Sequence, residues 1–118
     1  MFINYTNHPS DKWSARQYDE ACKYGVIYDM PFPDINPGMD KESIIKMADC
    51  ESVRIADNEP ECVLCQGEFV LTYHLVSKLK EMGIKVVAAC NERKSSEKYE
   101  NGKSVKTTIF EFVQFREY

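Results

Sequence analysis

A short polar segment near the start of the chain holds the residue best suited to chemistry, His8. Histidine transfers protons near neutral pH and also contacts phosphates. Its neighbours Thr6, Asn7 and Ser10 are able to donate hydrogen bonds to a phosphate or a sugar. Trp13 is able to stack on a base, although tryptophan more often anchors a loop to the core. The same polar residues could instead only build the turn that precedes a helix.

A second polar turn, Gln66-Gly67-Glu68, separates an apolar run from a helical pattern. Glycine allows a ligand to approach the backbone closely, and the amides that open the next helix attract anions. Glu68 could equally be only a favourable carboxylate in the first helical turn. A single glycine matches no phosphate-loop or dinucleotide-binding pattern. The turn is therefore a candidate for ligand contact without a specific motif.

The third candidate is a cluster of cations near the C-terminus, together with the polar Asn91. Arg93 and Asn91 are the expected ligand contacts of this group. The lysines could simply protect an edge strand from pairing with other chains. The cluster comprises Arg93, Lys94, Lys98, Lys103 and Lys106. The second histidine, His74, lies inside a helical pattern and is interpreted as structural or surface.

Strand and helix patterns alternate along the chain and predict one domain over residues 1–118. Periodicity and capping residues predict strands at 2–6, 26–30, 61–65 and 84–90 and helices at 14–24, between Asp40 and Pro60, and at 69–82. The fold class predicted from this alternation is α/β, a Rossmann-like doubly wound sheet in strand order 2-1-3-4-5. Strands one to four are expected to be parallel, and strand five antiparallel to strand four.

The antiparallel edge follows from Asn101-Gly102, a strong signal for a two-residue hairpin turn. Such a turn places Glu100 opposite Lys103. The same register predicts two pairs lower in the hairpin: Val87 with Arg116, and Cys90 with Val113. The polar outer part, at about 91–107, is expected to protrude from the carboxyl end of the sheet.

Strand order and strand direction bring the candidate residues to one edge of the sheet. In an open α/β sheet the ligand crevice lies where the strand order reverses, at the carboxyl ends of the strands. Here the reversal lies between strands one and three, so the flanking loops are 6–13 and 66–69. The base of the cationic hairpin projects from the same edge. We therefore expect a ligand site between these segments.

Composition excludes several classes of function. The formal net charge is −4, which disfavours duplex nucleic acid because binding usually needs a basic face. No apolar run approaches the roughly 20 residues of a membrane helix, and no signal peptide is recognisable. We expect a cytoplasmic protein that does not bind membranes. No nucleophile elbow, Walker sequence or metal-binding histidine pair is present, and we predict no metal or other cofactor.

The chain has five cysteines, and an odd number without a signal peptide favours reduced thiols over a disulfide framework. Cys62 and Cys65 have a spacing also found in metal sites. They lie, however, in an apolar run that reads as a buried strand. Positions three apart in a strand point to opposite faces, so we interpret both as buried core thiols without a redox role.

Four successive features of the chain resemble a known family. They are the first strand, the turn Thr6-Asn7-His8-Pro9, the helix after it and a strand running into Pro31-Phe32-Pro33. These features are similar to small CRISPR-associated Rossmann-like proteins encoded beside type III systems, which are related to cyclic oligoadenylate sensor domains. Some members are ring nucleases that bind and linearise the cyclic messenger. The resemblance covers the whole chain in architecture, but only the first loop and Gln66-Gly67-Glu68 in residue type. The long polar hairpin departs from the family.

The resemblance implies that a homodimer binds a cyclic oligoadenylate and cleaves it without a metal. A ribose 2′-hydroxyl would attack the adjacent phosphate, with His8 as acid or base. Asn7, Ser10 and Arg93 would contact the phosphates. Two alternatives stay open: a nucleotide sensor that does not cleave its ligand, and an interaction module whose C-terminal hairpin pairs with a partner strand.

Overall fold

Two short, fully buried strands form the centre of the sheet. They are β1 (Phe2–Tyr5) and β3 (Cys62–Cys65), and nearly every residue in them is apolar because both faces are covered. The computed structural model describes all 118 residues. Its single sheet has the order β2-β1-β3-β4-β5, which confirms the prediction. The outer strands are β2 (Ile27–Asp29), β4 (Val86–Glu100) and β5 (Lys103–Glu117).

Strand directions also agree with the prediction. The pairs β1–β2, β1–β3 and β3–β4 are parallel, whereas β4 and β5 are antiparallel. Three helices connect the strands: α1 (Ala15–Cys22), α2 (Lys41–Ala56) and α3 (Phe69–Glu81). The apolar residues of α2 and α3 form one buried cluster with alternate strand residues, and Ala21 of α1 belongs to a second cluster. The sheet is therefore covered on both faces, as a doubly wound fold requires.

Local side-chain chemistry determines where the helices begin and end. Ser14 caps α1 by accepting a hydrogen bond from the amide of Gln17 at 3.2 Å. Asp40 caps α2 by accepting from the amide of Ser43 at 2.8 Å. After α3, the chain turns at Gly83 with φ +80°, and its amide donates to the carbonyl of Lys80. These residues are the sequence-predicted helix boundaries.

The hairpin turn forms as predicted. Asn101 and Gly102 both have positive φ, 52° and 73°, as a type I′ turn requires. Glu100 faces Lys103, and the predicted register continues inward as far as Asn91, which faces Phe112.

Below Asn91 the predicted register is wrong by one residue. A β-bulge lies between Cys90 and Asn91, so Cys90 faces Gln114, not Val113. For the same reason Val87 faces Glu117, not Arg116. The extra residue has a packing cause, since regular alternation would place Phe112 and Phe115 on opposite faces. With the bulge, the two rings lie 4.9 Å apart on one face.

The strands β4 and β5 extend well beyond the rest of the sheet. Every residue from 91 to 111 is exposed, and we name this two-stranded segment the arm. The longest dimension of the molecule is 55 Å, and the radius of gyration is 17.0 Å. A compact chain of this length has a radius of about 13–14 Å, so the arm departs clearly from the globular body.

The two thiols of β3 lie on opposite faces of the sheet, as predicted. Cys65 belongs to the cluster beneath α2 and α3, and Cys62 belongs to the cluster beneath α1. All five cysteines of the protein are free thiols. None of the three helices has the length and apolar character needed to cross a membrane.

Candidate functional site

A cavity of about 740 Å³ lies where the order of the strands reverses. Its walls are the loop after β1, the start of α1, the turn after β3 and the base of the arm. This volume is within the range of small-molecule sites. The structure brings together in it most of the sequence-predicted site residues, namely Thr6, Asn7, His8, Trp13, Gln66, Gly67 and Asn91.

The first loop is held in place through the main chain of His8. Its carbonyl oxygen accepts hydrogen bonds from Asn4 Nδ2 at 2.9 Å and from Trp13 Nε1 at 3.1 Å. Its amide donates to Thr6 Oγ1 at 3.1 Å, and that hydroxyl donates to Asn4 Oδ1 at 2.7 Å. Thr6 and the indole nitrogen of Trp13 are therefore used to build the loop. They position the cavity wall and hold the main chain of His8.

The side chains of His8 and Asn7 are free. Both residues are exposed, and neither side chain forms a hydrogen bond within the protein. The loop thus presents an imidazole and a carboxamide on a main chain that is itself fixed. Such an arrangement suits contact with a polar ligand, because the protein needs little ordering when the ligand binds.

Ser10 lies outside the cavity lining, although it was a predicted ligand contact. Its hydroxyl donates to Asp29 Oδ2 at 3.0 Å, and its amide donates to the same carboxylate oxygen at 3.3 Å. Asp29 also accepts from Asn4 Nδ2 at 2.9 Å. Ser10 and Asp29 therefore join the first loop to the end of β2.

The turn after β3 has mainly structural tasks. Glu68 lies outside the cavity lining, and its carboxylate caps α3 by accepting from the amides of Val70 at 3.0 Å and Leu71 at 2.8 Å. Gln66 Oε1 accepts from the amide of Ala89 at 2.8 Å, which links the ends of β3 and β4.

Gly67 is required by packing. A Cβ atom at this position would lie 2.5 Å from three ring atoms of Phe32. Phe32 is buried at 4 % exposure beside Tyr5, so moving its ring would disturb the packing of the core. The glycine in this turn is therefore explained without a ligand, although its backbone still lines the cavity.

The base of the arm forms the third wall. The cavity is lined there by Asn91, Phe110, Glu111 and Phe112. Lys94 is paired with Glu111 at 2.5 Å. This hydrogen bond raises the pKa of Lys94 and lowers the pKa of Glu111. Lys94 is thus neutralised within the arm.

Arg93 does not line the cavity, but it stands on the cavity face of the arm. It is two residues after Asn91 on the same strand and directly opposite Phe110. Because alternate residues of a strand share a face, its side chain projects from the same face as Asn91. Arg93 takes part in no salt bridge and is available to an anion.

Sequence reasoning missed several cavity residues. Lys12 and Gln17 line the cavity beside His8. Lys12 adds a cation in the loop 6–13 that was not among the predicted ligand contacts. Two of the three phenylalanines of β5, Phe110 and Phe112, also line the cavity and were not among the predicted contacts. Asn4 could have been recognised from the sequence, because it is a polar residue inside an otherwise apolar strand. In the structure it is 1 % exposed.

The remaining titratable residues give no metal centre. No group of three or more histidine, cysteine, aspartate or glutamate side chains is close enough to hold a metal ion. Burial raises the pKa of the Cys62 thiol to about 11 and that of Cys65 to about 12, so both stay protonated at neutral pH. His74 lies on α3 with its ring 5.1 Å from that of Tyr73.

The chain is similar to one protein family over nearly its whole length. No curated protein and no solved structure matches it. The model of the uncharacterized protein MJ1673 family matches residues 1–116, which include the three helices, every wall of the cavity and all of the sheet except the last residue of β5. The chain therefore belongs to the uncharacterized protein MJ1673 family.

Proposed function

We propose that the cavity binds a nucleotide ligand. The observation that carries this proposal is that one cavity brings together the free side chains of His8, Asn7 and Lys12 and the exposed ring of Phe110, with the half-buried ring of Trp13 beside them. Cations, amides and the start of a helix favour phosphates, and exposed rings favour bases. The start of α1 forms part of the wall, which adds the positive end of a helix dipole.

The specific ligand we propose is a cyclic oligoadenylate messenger of type III CRISPR signalling in the cytoplasm. Support comes from the resemblance of the first loop and of the strand order to the ring nuclease and sensor proteins. A ring of several nucleotides exceeds the drug-sized ligands that a cavity of about 740 Å³ accommodates. Such a ring would therefore extend over the cavities of two chains in a homodimer.

Cleavage of this ligand would proceed without a metal. The ribose 2′-oxygen attacks the adjacent phosphorus, and the bond from phosphorus to the 5′-oxygen breaks. The products are a 2′,3′-cyclic phosphate and a 5′-hydroxyl. His8 accepts the proton of the 2′-hydroxyl or donates one to the leaving oxygen. Lys12, Asn7 and Arg93 stabilise the charge on the phosphate.

The test is a thermal-shift screen of the protein against cyclic tri-, tetra- and hexa-adenylate and common mononucleotides. A ligand that binds the native state raises the melting temperature with the logarithm of its concentration over its dissociation constant. We expect a shift with at least one cyclic oligoadenylate. The products formed with each hit are then identified by chromatography. No shift at high ligand excess with any cyclic oligoadenylate overturns the proposed ligand.

The two histidines provide matched variants for the catalytic role. His8→Ala should abolish cleavage, whereas His74→Ala on α3 should leave it unchanged because His74 lies outside the cavity. A protein that binds the ring without cleaving it is a sensor. In that case His8→Ala lowers affinity only. Full cleavage by His8→Ala removes this residue from the mechanism.

A second candidate function, an interaction module, is favoured by the arm itself. Tyr99, Val105 and Ile109 are exposed at 81 %, 43 % and 55 %, and β5 is an edge strand able to pair with a partner. A shortened-arm variant tests this function. Deleting 95–100 and 103–108 leaves the Asn101-Gly102 turn between the paired residues Lys94 and Ile109. If the arm is the functional surface, this variant loses its partner and nucleotides have no effect.

A further inference from the structure

At the base of the arm, a β-bulge places two phenylalanine rings of β5 on one face of the sheet. Ala89 and Phe115 are partners below the bulge, and both belong to the cluster on the α1 face. Along β4, Asn91 keeps the alternation of Ala89 and so lies on that same face. Its partner above the bulge is Phe112. The α1 face therefore contains Phe112 as well as Phe115, although regular alternation separates them.

Phe110 is two residues from Phe112 and shares its face, so its ring enters the cavity wall. The register set by the Asn101-Gly102 turn pairs Phe110 with Arg93 and Phe112 with Asn91. The bulge lies below these pairs and brings Phe115 to the face on which Phe110 and Phe112 already lie. The base of the arm thus adds an aromatic ring to the predicted crevice.

The two phenylalanine rings at the cavity differ in what they already contact. Phe112 is buried at 3 % exposure and packs on Phe115, so its ring is part of the core. Phe110 is 71 % exposed and pairs with no other aromatic ring. A large apolar ring left open beside polar groups suits a planar ligand, since stacking covers the ring while the polar groups bind phosphate.

Arg93 stands directly opposite Phe110 across the strand pair and shares its face. It is free of salt bridges, whereas Lys94 is paired with Glu111, which also lines the cavity. One face of the arm base thus presents an open ring and a free guanidinium side by side. This pairing matches a nucleotide, which joins a flat base to an anionic phosphate.

We propose that Phe110 is a base-stacking residue of the cavity, with Arg93 beside it as a phosphate contact. This inference rests on the proposed nucleotide-binding function. It assigns a role to the C-terminal hairpin, the feature in which the chain departs from the family that it resembles. The ligand class is a nucleotide with an accessible base face. Stacking tolerates any base, so Phe110 contributes affinity for the base and leaves the choice of base to other groups.

The test compares adenosine monophosphate, a cyclic tetra-adenylate and ribose 5-phosphate, which has no base. Binding is followed by calorimetry and by the fluorescence of Trp13, the single tryptophan, which lines the cavity. Phe110→Ala should weaken adenylate binding about 5- to 150-fold, the range for one stacked base. It should leave ribose 5-phosphate unaffected. Phe110→Tyr should retain adenylate affinity, because the ring is kept.

Ile109→Ala is the matched control, since Ile109 is the exposed neighbour on the other face of the arm. Its adenylate affinity should equal that of the wild type. Unchanged adenylate binding by Phe110→Ala, or an equal loss in Ile109→Ala, overturns the inference even where the proposed function holds. A third outcome is that adenosine monophosphate binds in a way that depends on Phe110 while no cyclic oligoadenylate binds. This outcome supports the inference and overturns the cyclic ligand. A wild-type protein that binds no adenylate overturns both.

Discussion

Asn4 is the residue on which the first loop depends. It lies inside a buried strand, donates to His8 and Asp29, and accepts from Thr6. A buried amide is retained only where its hydrogen bonds are satisfied. Here the satisfied amide holds the main chain of His8 and leaves the imidazole free. The polar residue in β1 is therefore a support of the candidate site.

Replacing Asn4 with leucine should destabilise the protein. The change removes two donors and an acceptor from buried or partly buried partners, at a cost of about 1–3 kcal/mol. The free energy of unfolding is measured by urea titration. The control is Asn58→Leu on the surface, whose amide bonds only to the carbonyl of Arg54 and whose loss costs about 0.5 kcal/mol or less. Equal effects of the two variants contradict the role of Asn4.

Gly67→Ala should also destabilise the protein, because its Cβ would overlap the ring of Phe32. Overpacking of this kind costs about 1–3 kcal/mol. Gly38→Ala is the control, since the nearest atom to its Cβ is a side-chain oxygen of Asn36 at 3.3 Å. The double variant Phe32→Leu with Gly67→Ala should show a smaller loss than the sum of the single changes. Additive losses in urea unfolding exclude the steric conflict.

At the scale of elements, β3 carries two thiols whose titration is linked to folding. The pKa of Cys62 and Cys65 is raised by burial from 9.0 to about 11 and about 12. The folded protein therefore holds these protons at pH values where the unfolded chain releases them. The stability that this adds is fully present below pH 9 and is lost as the pH rises towards 11 and 12.

The urea midpoint should therefore fall as the pH is raised from 8 to 10. The variant Cys65→Val, which has a similar volume and no ionisable proton, should show a shallower fall. Cys50→Ser should behave as the wild type, because Cys50 is exposed. A midpoint independent of pH in this range contradicts the burial of the two thiols.

The arm is an element whose inner and outer parts have different roles. At its base, Arg16 Nη1 donates to the carbonyl of Phe112 at 3.4 Å, and the bulge places two rings on the α1 face. Beyond Lys94 the ribbon has only its own cross-strand pairs. An isolated two-stranded ribbon is marginally stable in water, so the outer part contributes little to the stability of the body.

At the scale of the whole molecule, the shortened-arm variant separates the outer arm from the body. Deleting 95–100 and 103–108 should change the free energy of unfolding by about 0.5 kcal/mol or less, since the removed residues are all exposed. The radius of gyration should fall from 17.0 Å towards about 13–14 Å. Small-angle scattering and urea unfolding measure the two quantities.

This deletion also separates the proposed functions. It retains Asn91, Arg93 and Phe110, so nucleotide binding in the cavity should persist. A shortened protein that fails to fold contradicts the independence of the body from the outer arm. A shortened protein that folds but no longer binds the nucleotide places the ligand contacts further out on the arm.

Local chemistry in the sequence was enough to predict the architecture. Helix periodicity, the caps Ser14 and Asp40, the stop at Gly83 and the Asn101-Gly102 turn all depend on near neighbours along the chain. Alternation of strands and helices then limits the sheet to few orders. The position of the cavity followed from the order and direction of the strands.

Only the tertiary structure decided which polar residues of the site are free. Ser10 donates a hydrogen bond to Asp29, nineteen residues away along the chain. Gln66 accepts one from the amide of Ala89, twenty-three residues away. The bulge between Cys90 and Asn91 places Phe115 on the same face as Phe112, a contact that regular alternation does not predict. The sequence by itself determined where the cavity would form, because strand order depends on local signals. The tertiary structure decided what the site contains, because a side chain is free or occupied through contacts with distant parts of the chain.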